Sequence, residues 1–350
     1  MKRILSFLSL GVSLLFSCTG PSETGISHYN QFKEEKNITG QEVSLDSVFY
    51  RYLYRVAIKE NMAILMDLHP NEYFYHVFSY PDWQFIASFG KRGEGPEEVL
   101  SADGVRFHSP DSIYTLDANR MIVTRWTLSP EAKTVSRVED ISLNKSLIRS
   151  LDFYRTHKNF LIPNYSGECR YHEVSHDGQS IQDIGEIPTE EHKENRNVAL
   201  AQAWRTFTDY NPKNNIYALV TQLGEVVEIH NLKTGKQIVL YGPAGEPRYK
   251  EHKGESFPNG IKGFTDVQVT DKYIYALFDG MSWEERHQYY KRGEEAPNGG
   301  HFIYMFDLKG KPIRKYILDK NIMGFEIDEK RNMLIATCAE SDEPIILYNL

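Results

Sequence analysis

A unit recurs along this chain: a pair of hydrophobic strands, a turn, a second pair, then an aromatic or aliphatic residue followed by glycine, as in Phe89-Gly90, Ile184-Gly185 and Tyr241-Gly242. Units of this size cannot bury their own hydrophobic faces and must stack, so the array has to be read before any single motif. The units are strand throughout, with alternation such as Tyr50-Arg51-Tyr52-Leu53-Tyr54-Arg55-Val56, which places successive side chains against opposite neighbours. The expected fold is all-β, a six-bladed β-propeller.

The predicted blades run over 48–90, 104–141, 148–187, 203–242, 264–318 and 324–350. The last is one strand short. Residues Glu42 to Leu45 can supply that strand, closing the ring with N-terminal chain so that no blade edge stays open there. The glycine after each outer strand allows the chain to reverse toward the axis with backbone angles that a Cβ would forbid. The fullest copy, Phe89-Gly90-Lys91-Arg92-Gly93-Glu94-Gly95-Pro96-Glu97-Glu98, resembles a phosphate-cradling loop only superficially. Its glycine spacing is not the dinucleotide pattern and no helix follows to hold a phosphate, so it reads as a turn.

The first residues give an address. Lys2-Arg3, the apolar run Ile4 to Phe16 and Leu15-Phe16-Ser17-Cys18 form a bacterial lipoprotein signal, with Cys18 as the lipidated first residue after cleavage. The apolar run is too short to cross a hydrocarbon core of roughly 30 Å. The expected division is therefore a signal peptide over 1–17, a flexible tether over 18–40 that is too polar to bury a core, and the propeller over 41–350. A net charge of −8 argues against nucleic acid as a partner.

Ile113-Tyr114-Thr115-Leu116-Asp117 followed by Asn119-Arg120-Met121-Ile122, preceded by the Phe89 to Glu98 stretch, resembles the six-bladed β-propeller lipoproteins of gut Bacteroidetes, which are similar in fold to TolB-like and NHL-like propellers. The resemblance covers about 40–350 and the signal. It implies a lipid-anchored binding or scaffolding module, more a non-enzyme than an enzyme, and brings no catalytic residues or cofactor to carry over. Surface-exported lipoproteins of such bacteria carry several acidic residues after the cysteine, whereas Thr19-Gly20-Pro21-Ser22-Glu23 has one. The implied location is the cell envelope, facing the periplasm.

His172-Glu173-Val174-Ser175-His176 fits a zinc-protease pattern that works only on a helix. Asp177-Gly178 marks a hairpin turn just after it, and strand geometry sets the two imidazoles roughly 13 Å apart. No metal site is expected from it. His69, His76 and His108 are scattered and read as surface or rim residues, and Cys169 and Cys338 fall in blades across the ring, too far apart for a disulfide.

Long loops at 90–102, 185–202, 242–263 and 279–301 gather on one face of such a ring. The last combines Trp283, Arg286, His287, Tyr289, Tyr290 and Arg292, flat faces and directional donors suited to a sugar ring or a peptide. It is expected to form a lid over the channel mouth and, with Arg92, Glu94, Asp67 and His69, to make up the candidate ligand site. Two functions stand: a lipid-anchored envelope module holding a protein, peptide or glycan, or a periplasmic hydrolase or lyase acting on sugars or lactones. The second would need carboxylates such as Asp67, Glu94 and Asp117 to converge with His69.

Overall fold

The computed structural model describes residues 24–45, 50–147, 150–189 and 198–350. Six antiparallel sheets follow one another along the chain: blade 1 over 53–91, blade 2 over 104–142, blade 3 over 154–184, blade 4 over 206–241, blade 5 over 264–322 and blade 6 over 324–349. Innermost strands touch between blades 1 and 2, 4 and 5, 5 and 6, and 6 and 1, and blade 3 joins blades 2 and 4 through hydrophobic seams, so the ring is closed. The closing strand is Gln41–Val43, antiparallel to the last strand Ile345–Asn349 with Gln41 opposite Leu347 and Val43 opposite Ile345.

The core is divided among the seams between blades. Phe74 and Val77 of blade 1 meet Trp126 and Leu128 of blade 2. Tyr114 and Leu116 of blade 2 meet Phe160 and Ile162 of blade 3, and Leu277 and Ile303 of blade 5 meet Phe325 and Leu334 of blade 6. Each such side chain, fully removed from water, contributes about 1.5–3 kcal/mol. Blades 3 and 4 join through Tyr171 and Tyr217, while blades 4 and 5 join through Ile229 and Phe278.

Gly90 and Gly185 take positive φ as the repeat predicts, whereas Gly242 does not and is required by close approach instead. Gly90 has φ +67°, and a Cβ there would lie 2.6 Å from the Tyr75 ring; at Gly242 it would lie 2.3 Å from the Glu225 carboxyl carbon. In the Gly90 to Glu98 turn the Gly95 amide donates to the Glu98 carboxylate at 3.0 Å, and Arg120 of blade 2 donates to the carbonyls of Glu98 and Gly95. The amides of Gly93, Gly95 and Glu98 are thus bonded to oxygens of their own loop.

Within the expected tether, two segments are strands rather than free chain. Thr24–His28 pairs in parallel with the outer strand of blade 4, and Glu34–Ile38 does the same on blade 5. Their side chains are almost all exposed, so backbone hydrogen bonds hold them rather than a hydrophobic stripe. Between them Tyr29 and Phe32 do pack, against Tyr304 and Phe306. The signal peptide and Cys18 lie outside the described residues. No described helix is long and apolar enough to cross a membrane.

Candidate functional site

The axis of the ring is filled by side chains. Arg55 leaves the inner strand of blade 1, donates to the carbonyls of Met323 at 2.7 Å and Thr265 at 2.8 Å, and lies over the rings of Tyr54 and Phe207. Arg106 of blade 2 pairs with Asp152 at 2.9 Å and lies over Tyr154. The Tyr154 hydroxyl donates to Asp209, whose other oxygen accepts the Val269 amide at 2.5 Å. Burial pushes the Asp209 carboxyl up to about 6, and burial raises Asp266 as well. Glu326 is raised well above the usual range by burial and by the nearby Asp209 and Asp266. Burial alone would lower Arg106, but Asp152 and its neighbours hold it above its ordinary value.

Two open clefts are bordered by the 279–301 insertion, one toward the outer strands of blade 5 and one toward blades 6 and 1. One of about 500 Å³ is lined by Phe278, Met281, His301, Phe302, Lys320 and Asn321. The second, about 440 Å³, is lined by Tyr52, Arg286, Tyr290, Glu294, Asn298 and Glu340. The insertion forms a helix, α1 (Trp283–Lys291), begun by a reciprocal cap in which Ser282 accepts from the Glu285 amide and Glu285 accepts from the Ser282 amide. It leans toward blades 6 and 1: the Asn298 amide group donates to the Tyr52 hydroxyl at 2.7 Å, and its backbone donates to Glu340.

The candidate residues divide sharply. Arg286 is spent inside the insertion, on Asp279 at 2.5 Å and the Pro297 carbonyl; Lys262 reaches the same carboxylate at 3.2 Å. Tyr289 is covered by Arg292. Trp283, at 37 % exposure, and Tyr290, at 78 %, face solvent, with His287 stacked on Tyr290. In blade 1, Asp67 is fully buried and accepts the amides of Arg51, Tyr52 and His69. Asp117, at the matching place in blade 2, accepts the amides of Leu100 and Arg120. Arg92 donates to the Pro70 carbonyl, His69 is exposed beside Tyr52, and Glu94 is exposed. His69 thus borders the second cleft through Tyr52, which accepts from Asn298 of the insertion, while Asp67 and Arg92 are bonded to backbone groups of blade 1. His76, read as a rim residue, is buried against Ser88, and burial lowers it to about 4.

His172 and His176 point apart, as strand geometry requires: His172 is on the strand Tyr171–Val174, while His176 is in the following turn and bonds the Thr156 carbonyl. The sequence gives no hint of what His172 does meet. Its Nδ1 is 2.8 Å from Asp183 and 3.5 Å from the Cys169 sulfur. These donors suit a soft divalent cation, but the Asn164 amide nitrogen already lies 3.1 Å from that sulfur and 3.0 Å from His172 Nε2. Burial pushes the Cys169 thiol up to about 11.

Residues 31–330 match the profile of the TolB-like 6-blade propeller-like family. The chain belongs to that family. Among solved structures, this TolB-like propeller is similar to a member of the DUF4221 family from Bacteroides vulgatus, at 9 % identity and TM-score 0.59 over 89 % of this chain and 97 % of that one. It is also similar to a protein from Bacteroides fragilis described as exported, at 11 % identity and TM-score 0.57 over 93 % and 98 % of the two chains. At such identities the likeness shows the fold. No curated protein matches the chain.

Proposed function

We propose that this TolB-like propeller is a lipid-anchored binding protein of the cell envelope, facing the periplasm, that holds an extended peptide or glycan in the clefts beside the 279–301 insertion. The observation that carries the reading is a contrast within one helix. Arg286, Asp279 and the Ser282 cap fix α1 in place, while Trp283, His287 and Tyr290 stay open to solvent. Aromatics held rigidly at a surface lose little freedom on binding, which favours recognition of a flat or extended ligand. Asp67 and Asp117, which a sugar or lactone hydrolase would need free, are occupied by backbone amides, and this favours binding over hydrolysis. The exported relative from Bacteroides fragilis supports a place outside the cytoplasm.

The test has two arms. Envelope glycan fragments and peptides are screened for retention by the native chain and by the Trp283→Ala/Tyr290→Ala variant; retention lost in the variant supports the reading, and equal retention removes the site from this helix. Separately, Cys18→Ala should move the protein from the membrane to the soluble fraction. Identical fractionation with and without Cys18 would refute the anchor.

A further inference from the structure

The N-terminal strand shows from which side the chain enters the ring. In each blade the outer strand runs toward the face that carries the long loops, as Gln237–Tyr241 runs into the 242–263 loop in blade 4. Thr24–His28 pairs with that strand in parallel, Thr24 opposite Gln237 and His28 opposite Tyr241. Thr24 therefore lies at the opposite face, the underside, beside the turn 231–236. Cys18 precedes Thr24 by six residues, a reach of at most roughly 22 Å at about 3.6 Å per residue.

The underside next to this entry point is basic. The turns of blade 4 carry Lys213, Lys233 and Lys236, and those of blade 5 carry Lys272, Lys309 and Lys311, all exposed. Acidic groups on the same turns are few: Asp271, which pairs with Lys213 at 2.8 Å, and Asp307, which accepts the amides of Lys309 and Lys311 within its own turn. Glu329 of blade 6 borders the patch and accepts the Asp271 amide. In a chain of net charge −8, this is a local reversal of sign. Clustered lysines near an anionic bilayer are attracted to it over about a Debye length.

We infer that the underside of blades 4 and 5 docks on an anionic lipid bilayer, so that the loop face with its two clefts points away from the membrane. The inference rests on the reading of Cys18 as the anchor, because the lipid brings the patch within reach. The lysines then fix orientation: the short reach already confines the ring to the surface, and the charge selects which side lies down. A propeller standing on its underside leaves α1 free for a ligand that is itself outside the membrane.

The test uses the full chain, lipidated at Cys18 and reconstituted in vesicles that carry a headgroup quencher, with a dye on either Thr234→Cys at the underside or Lys291→Cys on the loop face. In vesicles with about a third phosphatidylglycerol, the Thr234→Cys dye should be quenched at least about twofold more, and the difference should shrink as salt rises from about 0.05 to about 0.5 M. Replacing all six lysines by Gln should abolish the difference, and by Arg should keep it. Equal quenching of the two dyes, or stronger quenching of the Lys291→Cys dye, overturns the inference. Mass analysis of the N-terminal peptide reports lipidation separately. If the lipid is absent, flotation of the chain with anionic against neutral vesicles still decides the patch: salt-sensitive, lysine-dependent flotation supports it, and lysine-independent flotation overturns it.

Discussion

Arg55 Nε lies 3.7 Å from the carboxylate of Asp266 across the axis of the ring, joining blade 1 to blade 5 past blade 6. Both side chains are largely buried, and the Asp266 carboxylate also accepts the amides of Phe325 and Val267. The pair is thus a crosslink between inner strands that share no sheet.

Removing one partner of a buried pair leaves an uncompensated charge. Arg55→Ala should therefore lower unfolding free energy by about 3–5 kcal/mol in a urea titration. Arg55→Met combined with Asp266→Asn should recover part of that loss. If the single variant unfolds at the native midpoint, the axis is not held by this pair.

The Asp209 carboxyl titrates near 6 in the folded chain and near 3.9 when unfolded, so folding favours its protonated form. Its contribution is fully present below about pH 4 and is lost as pH rises through about 6. Buried His76, lowered to about 4, works in the opposite sense: its contribution is present above about pH 6.5 and is lost as pH falls toward 4. Asp209→Asn should remove the first effect alone. Relative to the native chain, its stability should change by up to about 3 kcal/mol between pH 4 and pH 7, the variant losing less as pH rises. Chemical denaturation across that range checks it, and parallel curves would place the titration elsewhere.

Deleting 41–45 should cost at least about 2 kcal/mol, from three ladder pairs at about 0.5–1.5 kcal/mol each and the loss of buried Leu45 from the seam of blades 6 and 1. The exposed edge of Ile345–Asn349 should also promote association. Light scattering together with a thermal melt measures both effects, and an unchanged melt would mean that another segment closes the ring.

Within the insertion, Trp283→Ala should cost under roughly 0.5 kcal/mol because the side chain is surface-exposed, yet weaken ligand retention. Arg286→Ala should instead loosen α1, seen as faster amide exchange over Trp283–Lys291, since it breaks the contacts to Asp279 and Pro297. Similar exchange in both variants would contradict this division.

Cys169 and Cys338 are each 2 % exposed, and burial pushes the Cys169 thiol up to about 11. Both should resist a thiol reagent at pH 7 until the chain unfolds. Rapid labelling of the native chain would show that the seams around them open readily.

What the chain wrote plainly is what repeats. Phe89-Gly90 and Tyr241-Gly242 mark outer-strand ends because the same reversal is needed in every blade, and Glu42 advertises a strand because blade 6 lacks one. Thr24–Ile38 was opaque for a physical reason: strands bonded through the backbone with exposed side chains carry no hydrophobic period. The axis was opaque for another. Arg55, Arg106, Asp209, Asp266 and Glu326 come from the inner strands of five blades and Asp152 from the chain leading into the inner strand of blade 3, and only closure of the ring brings them together. That backbone groups or a neighbouring carboxylate already engage Asp67, Asp117 and Arg286 is something residue type alone does not reveal.

The pairing of Gln41 with Leu347 has a consequence for the order in which the molecule is made. The earliest strands synthesised find their partners only in the last three blades, and the final one waits for almost the last residue of the chain. Contacts of such sequence separation form late and slowly. Five blades emerging without the sixth leave the ring unsealed, with the axial charges of Arg55 and Arg106 not yet fully enclosed. A ring sealed by pairing its first blade-forming strand with its sixth blade cannot close piecemeal, so its two ends must meet in one late step.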